Sequence, residues 1–365
     1  MTSDIHRLPD DLMIDILSRL PAESVIRVSF VCKTWQSMVK APSFVARHYN
    51  HPNNSARLFV RHLDGHGGLR YFSLYDDETL AGSPPVYRDL VADMTHRLDI
   101  SLYDGIFCML NRHFALWNPA TKEFRSLPVF PETQLDGLDT FGFGLDPITA
   151  DYKVIWIWVN GEEFGEKKWM GATTAVYSLS SDSWRYVDVG LPCPDIYTPM
   201  SNTCIDGVYH WFAMENGHPL ILSFDLTTES FAKLPGGLPR PQYGVLTTYD
   251  NSLALCYYDL MDCYTTSVDV WVMRGDEGWT QHARVDIPHT TVLGIWKKGL
   301  LFIKADGDGT LGLYDPETEQ VKDLGSRIEP YPLLYRESLV AIRRLNGINE
   351  PDQLSDVAQV IDFSR

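Results

Sequence analysis

The chain has 365 residues, 44% of them hydrophobic, and a formal net charge of −17 at pH 7, material for a large core and two domains. The first 50 residues are near neutral at +1 and the remainder carries −18, which argues against a phosphate backbone as a direct partner. The longest apolar run, VIWIWV at 154–159, is far too short for a bilayer, and MTSDIHRLPDD has no secretory pattern.

Six cysteines (Cys32, Cys108, Cys193, Cys204, Cys256 and Cys263) are scattered without a CxxC pair, as reduced thiols of the cytosol or nucleus would be. The expected location is therefore cytoplasmic or nuclear, with no membrane partner.

Residues 8–49 begin with a helix. Pro9 suits a first turn, and Asp10 and Asp11 place negative charge at the positive end of the helix dipole. Leu12, Met13, Ile16, Leu17 and Leu20 fill an arc of roughly 140°, wider than one contact needs. Asp11, Asp15, Ser18 and Arg19 take the other side, and Pro21 stops the helix. Val28, Val31, Cys32, Trp35, Met38 and Val39 then keep helical spacing throughout, which predicts one continuous second helix. Pro42 breaks that run, and Ser43 is placed to cap a short third helix carrying Phe44, Val45 and Tyr49. Three short helices over residues 1–50 hold more apolar surface than about 40 residues can bury among themselves, which leaves a face for a partner.

The polar, turn-forming HPNNSAR at 51–57 reads as a linker. Beyond it one unit recurs: an apolar strand ending in an aromatic, a turn rich in Asp, Asn, Pro, Thr and Ser, then a second short strand. Tyr75, Trp117, Tyr177, Phe224, Trp271 and Tyr314 mark the aromatic position, at separations of 42, 60, 47, 47 and 43 residues. Ahead of several units lies another hairpin with Gly105, Gly207 or Gly299 at its turn, and Asn251 holds the same place in YDNSLALCYY.

Each unit thus supplies about four strands. Residues 58–343 are expected to form a large all-β domain, propeller-like, with about six blades. The strand at 335–343 should pair into the blade begun by residues 57–80, closing the ring, and 344–365 should be a polar tail.

Catalytic signatures are absent: no G-x-S-x-G, Walker loop or H-E-x-x-H occurs. FGFGLDP lacks a third glycine and reads as a blade turn. ADGDGT, with Asp306 and Asp308, lacks the other carboxylates of a calcium loop and reads as a β-turn. His62 and His66 sit in a Gly-rich hairpin, and His210 beside Trp211 reads as a core histidine. No cofactor or metal site is expected.

LPxDLxxxILxRLP followed by V-C-K-x-W resembles the F-box, the adaptor-binding module of cullin–RING ubiquitin ligases. Leu8, Pro9, Asp11, Leu12, Ile16, Leu17, Arg19, Leu20, Pro21, Val31, Cys32, Lys33 and Trp35 carry the match. The resemblance implies a Skp-family adaptor as partner, and through it cullin and RING subunits. The implied contact set is Leu8, Pro9, Leu12, Ile16, Leu20, Pro21 and Val25, with Cys32 and Trp35 closing the module.

Downstream, NPATKEFRSLP, FGFGLDPITADYKVI, VYSLSSDSW, GVYHWFA, ILSFDLTTE and LGIWKKGLLFI resemble the plant F-box-associated domain. Within that group the chain is similar to S-locus F-box and S-locus F-box-like proteins of self-incompatibility. That likeness implies a non-catalytic receptor that recruits a protein for ubiquitination, a basic S-ribonuclease being the candidate.

Four long loops offer acidic target-binding candidates: Glu132, Asp136 and Asp139 in 128–139, Glu162 and Glu163 in 160–171, Asp195 in 190–203, and Asp259 and Asp262 in 257–267. The competing reading is a propeller enzyme or glycan-binding lectin with a helical appendage, or a receptor for another target.

Overall fold

A computed structural model describes residues 9–63, 70–75, 87–88, 99–110, 113–130, 138–159, 172–193, 195–196, 202–215, 218–234, 243–262, 265–275, 278–288, 290–296, 299–305, 310–327 and 333–343. Four helices come first, not three: α1 (Asp10–Ser18), α2 (Ala22–Ser29), α3 (Lys33–Lys40) and α4 (Pro42–Tyr49). The expected continuous helix breaks at 30–32, where Cys32 is extended (φ −157°, ψ 161°), and α3 packs on α2. Periodicity does not register this break, because the apolar positions keep three- and four-residue steps across it. Two short helices can cover each other's apolar faces, which one straight helix cannot do for itself. Pro42 opens α4 behind Ala41, in the first turn where a missing N–H costs nothing, and Ser43 makes no cap.

From Arg57 onward the elements are strands. β1 (Arg57–Leu63), β2 (Arg70–Tyr75) and β3 (Tyr87–Arg88) begin one sheet. The next is β4 (Asp99–Tyr103), β5 (Ile106–Leu110), β6 (Phe114–Asn118) and β7 (Glu123–Ser126). It is followed by β8 (Leu138–Asp146), β9 (Asp151–Val159), β10 (Ala172–Ser178) and β11 (Ser183–Tyr186). A five-stranded sheet comprises β12 (Asp195–Ile196), β13 (Asn202–Ile205), β14 (Val208–Glu215), β15 (His218–Asp225) and β16 (Ser230–Lys233). Then come β17 (Tyr243–Tyr249), β18 (Ser252–Asp262), β19 (Thr265–Arg274) and β20 (Gly278–Pro288). The last run is β21 (Thr290–Ile295), β22 (Leu301–Ala305), β23 (Thr310–Asp315) and β24 (Gln320–Arg327), before β25 (Leu333–Tyr335).

Five blades are therefore cut from continuous stretches of chain, against the about six expected. The remaining sheet is composite, in the order β25-β1-β2-β3. Its closing strand lies earlier than the expected 335–343 and shares only Tyr335 with it: Leu333, Leu334 and Tyr335 pair with Phe59, Leu58 and Arg57, and residues 336–343 leave the sheet.

The ring holds because each sheet is apolar on both faces. In β9, Val154 and Trp156 enter the core shared with the preceding blade, while Ile155 and Ile157 enter the core shared with the following one. In β1, Leu58 packs with Phe302 and Leu313 of the last blade and Phe59 with Phe107, Trp117 and Tyr335 on the other side. His210 and Trp211 are accordingly both buried, although they point to opposite faces. FGFGLDP is strand, not turn: a Cβ on Gly142 would lie 2.7 Å from the Tyr209 ring, and one on Gly144 would lie 2.4 Å from Cys204 Sγ. These glycines let adjacent blades approach.

The recurring polar turn has a common chemistry. Asn118 Oδ1 accepts from the N–H groups of Ala120 (3.0 Å) and Thr121 (3.4 Å), and Asp225 Oδ1 accepts from Thr227 (2.7 Å) and Thr228 (3.0 Å). Asp315 and Asp146 build the same Asx turn. Asp146 also belongs to a buried ionic staple between blades. Lys153 Nζ donates to Asp146 Oδ2 (2.8 Å), the Leu226 carbonyl (2.6 Å) and Glu229 Oε1 (3.1 Å), and Glu229 also pairs with Arg185. Burial pushes the Asp146 carboxyl up, but bonds from Lys153, Thr149, Thr227 and the Ile148 N–H outweigh it and hold the group well below the usual range.

Two outcomes are expected. Lys153→Met leaves the Asp146 carboxylate buried without its cation, and Glu229 with Arg185 alone, and should lower stability by roughly 3–5 kcal/mol in denaturant melts. Burial lowers His210 from 6.5 to about 4. Its neutral form is thus favoured in the fold, so this contribution is complete above pH 6.5 and is lost as pH falls toward 4, roughly 3 kcal/mol in all. Replacing His210 by Gln should flatten that part of the stability–pH curve.

Candidate docking surface on the helical module

The wide apolar arc of α1 is divided between two environments. Leu17 is buried with Ala22, Val25, Val39 and Phe44, and Met13, Ile14 and Leu20 are partly buried against them. Leu12 and Ile16 point outward, 51% and 46% exposed. Asp15 is held on the helix by Arg19 and by Arg47 of α4, whose Nη2 lies 2.7 Å from Asp15 Oδ1. Two large aliphatic side chains left this open on a short helix are the kind of surface that a partner covers.

The other expected contact residues divide similarly. Pro9 is exposed as the N-cap of α1 and Pro21 as the N-cap of α2, while Leu8 lies outside the described residues. Cys32 is exposed at the start of α3 and Trp35 is half-buried. Val25 is corrected from surface to core: it is completely buried, and no partner reaches it while the module keeps this packing.

Phe30 and Val31, outside the expected contact set, are the most exposed large apolar residues of the module, at 78% and 67%. They occupy the turn between α2 and α3, so the unrecognised helix break concealed them. The available signal was an aromatic and a β-branched residue side by side in a run already rich in apolar positions.

The acidic candidates on the β domain lie in other settings than expected. The segment 257–267 is mostly hairpin, with Asp259 opposite Ser267 and Asp262 opposite Thr265. Asp195 pairs with Met214 in β12, and Asp139 with Trp158 near the start of β8. Glu132, Asp136, Glu162 and Glu163 lie outside the described residues.

Strand polarity places the four described positions at the end of the blades away from the helices. The module meets the opposite rim, where Ala120, in the turn after β6, packs on its core, and where Gly105, after β4, touches Arg336 and Ser338. Among the described residues no cluster of three or more His, Cys, Asp or Glu could hold a metal ion, and no helix is long and apolar enough to cross a membrane.

A family model described as "F-box associated beta propeller domain" matches residues 89–321, and one described as "F-box domain" matches residues 5–47. An F-box/LRR-repeat/kelch-repeat protein of Arabidopsis thaliana is 29% identical over 248 residues, covering 62% of this chain and 64% of that protein. A putative F-box only protein 15 of the same plant is 26% identical over 312 residues, covering 78% and 76%. An Arabidopsis F-box/kelch-repeat protein is 27% identical over 308 residues, covering 77% and 70%. Among solved structures, a chain of the nidogen/laminin complex aligns over 73% of this chain and 92% of its own at 11% identity and a TM-score of 0.43.

The division into core and surface can be measured directly. Val25→Asp should unfold the helical module or lower its melting temperature sharply, because it buries an unpaired charge. Leu12→Asp should leave the far-UV spectrum and the melting temperature nearly unchanged.

Proposed function

This chain belongs to the F-box-associated β-propeller family, and we propose that it is the substrate-recognition subunit of an SCF-type ubiquitin ligase. The helical module docks on a Skp-family adaptor, which brings the cullin and RING subunits. The β domain holds the target, and the chain performs no chemistry itself. The observation that carries this reading is the outward display of Leu12 and Ile16 on a helix whose other apolar residues already have a core. The units are an F-box over 1–50, a linker at 51–57, a recognition domain over 58–343 and a tail at 344–365.

Adaptor contact then runs through Pro9, Leu12, Ile16 and Pro21, extended to Phe30 and Val31 in the next turn, with Leu8 preceding and Leu20, Cys32 and Trp35 at its margin. Target contact falls to the acidic candidates Glu132, Asp136, Asp139, Glu162, Glu163, Asp195, Asp259 and Asp262, a few of them as anchors, and the described four among them are at the far rim. A net charge of −18 beyond residue 50 speeds encounter with a basic protein more than it tightens the final complex. A basic S-ribonuclease, met by an S-locus F-box-like receptor, is the specific target proposed, working in the cytosol.

Co-purification with a recombinant Skp-family adaptor tests the docking. Burying Leu12 and Ile16 is worth roughly 1.5–3 kcal/mol each, so replacing both by Asp should abolish the complex while the chain stays folded. Full-strength binding by the double variant would remove the basis of the reading. The same variant, cut off from degradation, should accumulate with its target. Recovery of a basic ribonuclease supports the specific proposal, and exclusive recovery of acidic proteins overturns it.

A further inference from the structure

The N-terminus of α2 has no cap of its own. Its N-cap is Pro21, which offers no side-chain acceptor. The Ala22 N–H instead donates to Glu337 Oε2 at 2.8 Å, from a residue 315 positions away in sequence. The carboxylate thereby sits at the positive end of the α2 dipole. Its other oxygen, Oε1, lies 3.2 Å from Arg57 Nη1, at the first residue of β1.

The backbone of Glu337 is held as well. Asn54 Nδ2 donates to the Glu337 carbonyl (2.8 Å), and the Glu337 N–H donates to Asn54 Oδ1 (3.2 Å). One residue thus ties together the helical module, the linker and the closing sheet.

The residues that follow continue the attachment. Leu339 is buried in the core of the helical module. Asn118 Nδ2 donates to the carbonyls of Ser338 (3.1 Å) and Val340 (2.8 Å), and Ile342 is buried in the core between the first two continuous blades. Gly105 admits this strap: at φ +72° a Cβ there would lie 2.3 Å from the Arg336 carbonyl oxygen and 2.8 Å from Ser338 Cβ.

The strap starts where β25 ends, two residues before Glu337, so pairing of β25 with β1 is what delivers the carboxylate to Ala22. We propose that residues 336–342 are a latch through which closure of the β ring sets the helical module in its docking-competent form, with Glu337 as the positioning residue. An open ring withdraws the α2 cap and Leu339 together, and the surface around Pro21 loses its support. The link to docking rests on the adaptor reading above; the latch itself does not.

Hydrogen exchange on the full chain, combined with adaptor titration, separates the two. In Glu337→Ala, amides of α2 should exchange about five- to tenfold faster, the effect of a lost helix cap, while β5 and β9 keep their protection. Glu337→Gln, which retains an acceptor, should lie between that variant and the parent chain. Adaptor affinity should fall in the same order. Unchanged exchange in α2, or equal loosening of α2 and the blades, would overturn the latch. Faster α2 exchange at constant affinity would overturn its link to docking. If the parent chain itself does not bind the adaptor, the docking reading fails and the exchange result still decides the latch.

Discussion

No sheet of this protein can stand alone, because each carries apolar side chains on both faces and needs a neighbour on either side. The alternation in β9, with Val154 and Trp156 on one side and Ile155 and Ile157 on the other, is the local form of that constraint. A row of such sheets leaves two raw apolar faces at its ends, and joining them into a ring removes both. Leu58 and Phe59 are where the ends meet, one turned to the last blade and one to the first continuous blade. The three residue pairs between β25 and β1 are few, but the two packed cores behind them make the junction firm.

That junction also decides where the helices sit. The chain enters the ring at Arg57 and leaves the paired strand at Tyr335, both at the same rim, so the preceding helices and the following strap are brought side by side. The helical module is consequently seated on the ring, with Leu339 from one side of the strap and Ala120 from a blade turn completing its core. The helical module and the described acidic positions Asp139, Asp195, Asp259 and Asp262 are thereby kept at opposite ends of one body.

Much of this was legible in the residues. The strand-end aromatics mark the third strand of each continuous blade, and Trp117, Tyr177, Phe224 and Tyr314 are buried there. The turn at Asp250 and Asn251 has positive φ at both residues, as its equivalence to the glycine turns required. Signals of period failed where a bend left the period intact, as at Phe30 to Cys32, and where glycine served close packing instead of a turn, as at Gly142 and Gly144. Val25 was misplaced because a motif records which positions matter without separating contact from support. Glu337 could not be found at all, since nothing in LLYRESLVAI distinguishes a carboxylate that caps a helix more than 300 residues away.

All nine non-glycine residues with positive φ among those described, from Asp104 to Glu319, fall in the tight turns of the rim that bears the helices. Such turns tolerate few substitutions and almost no added length. An insertion in one of them would therefore strain a blade end on the very side where the helices and the strap are seated.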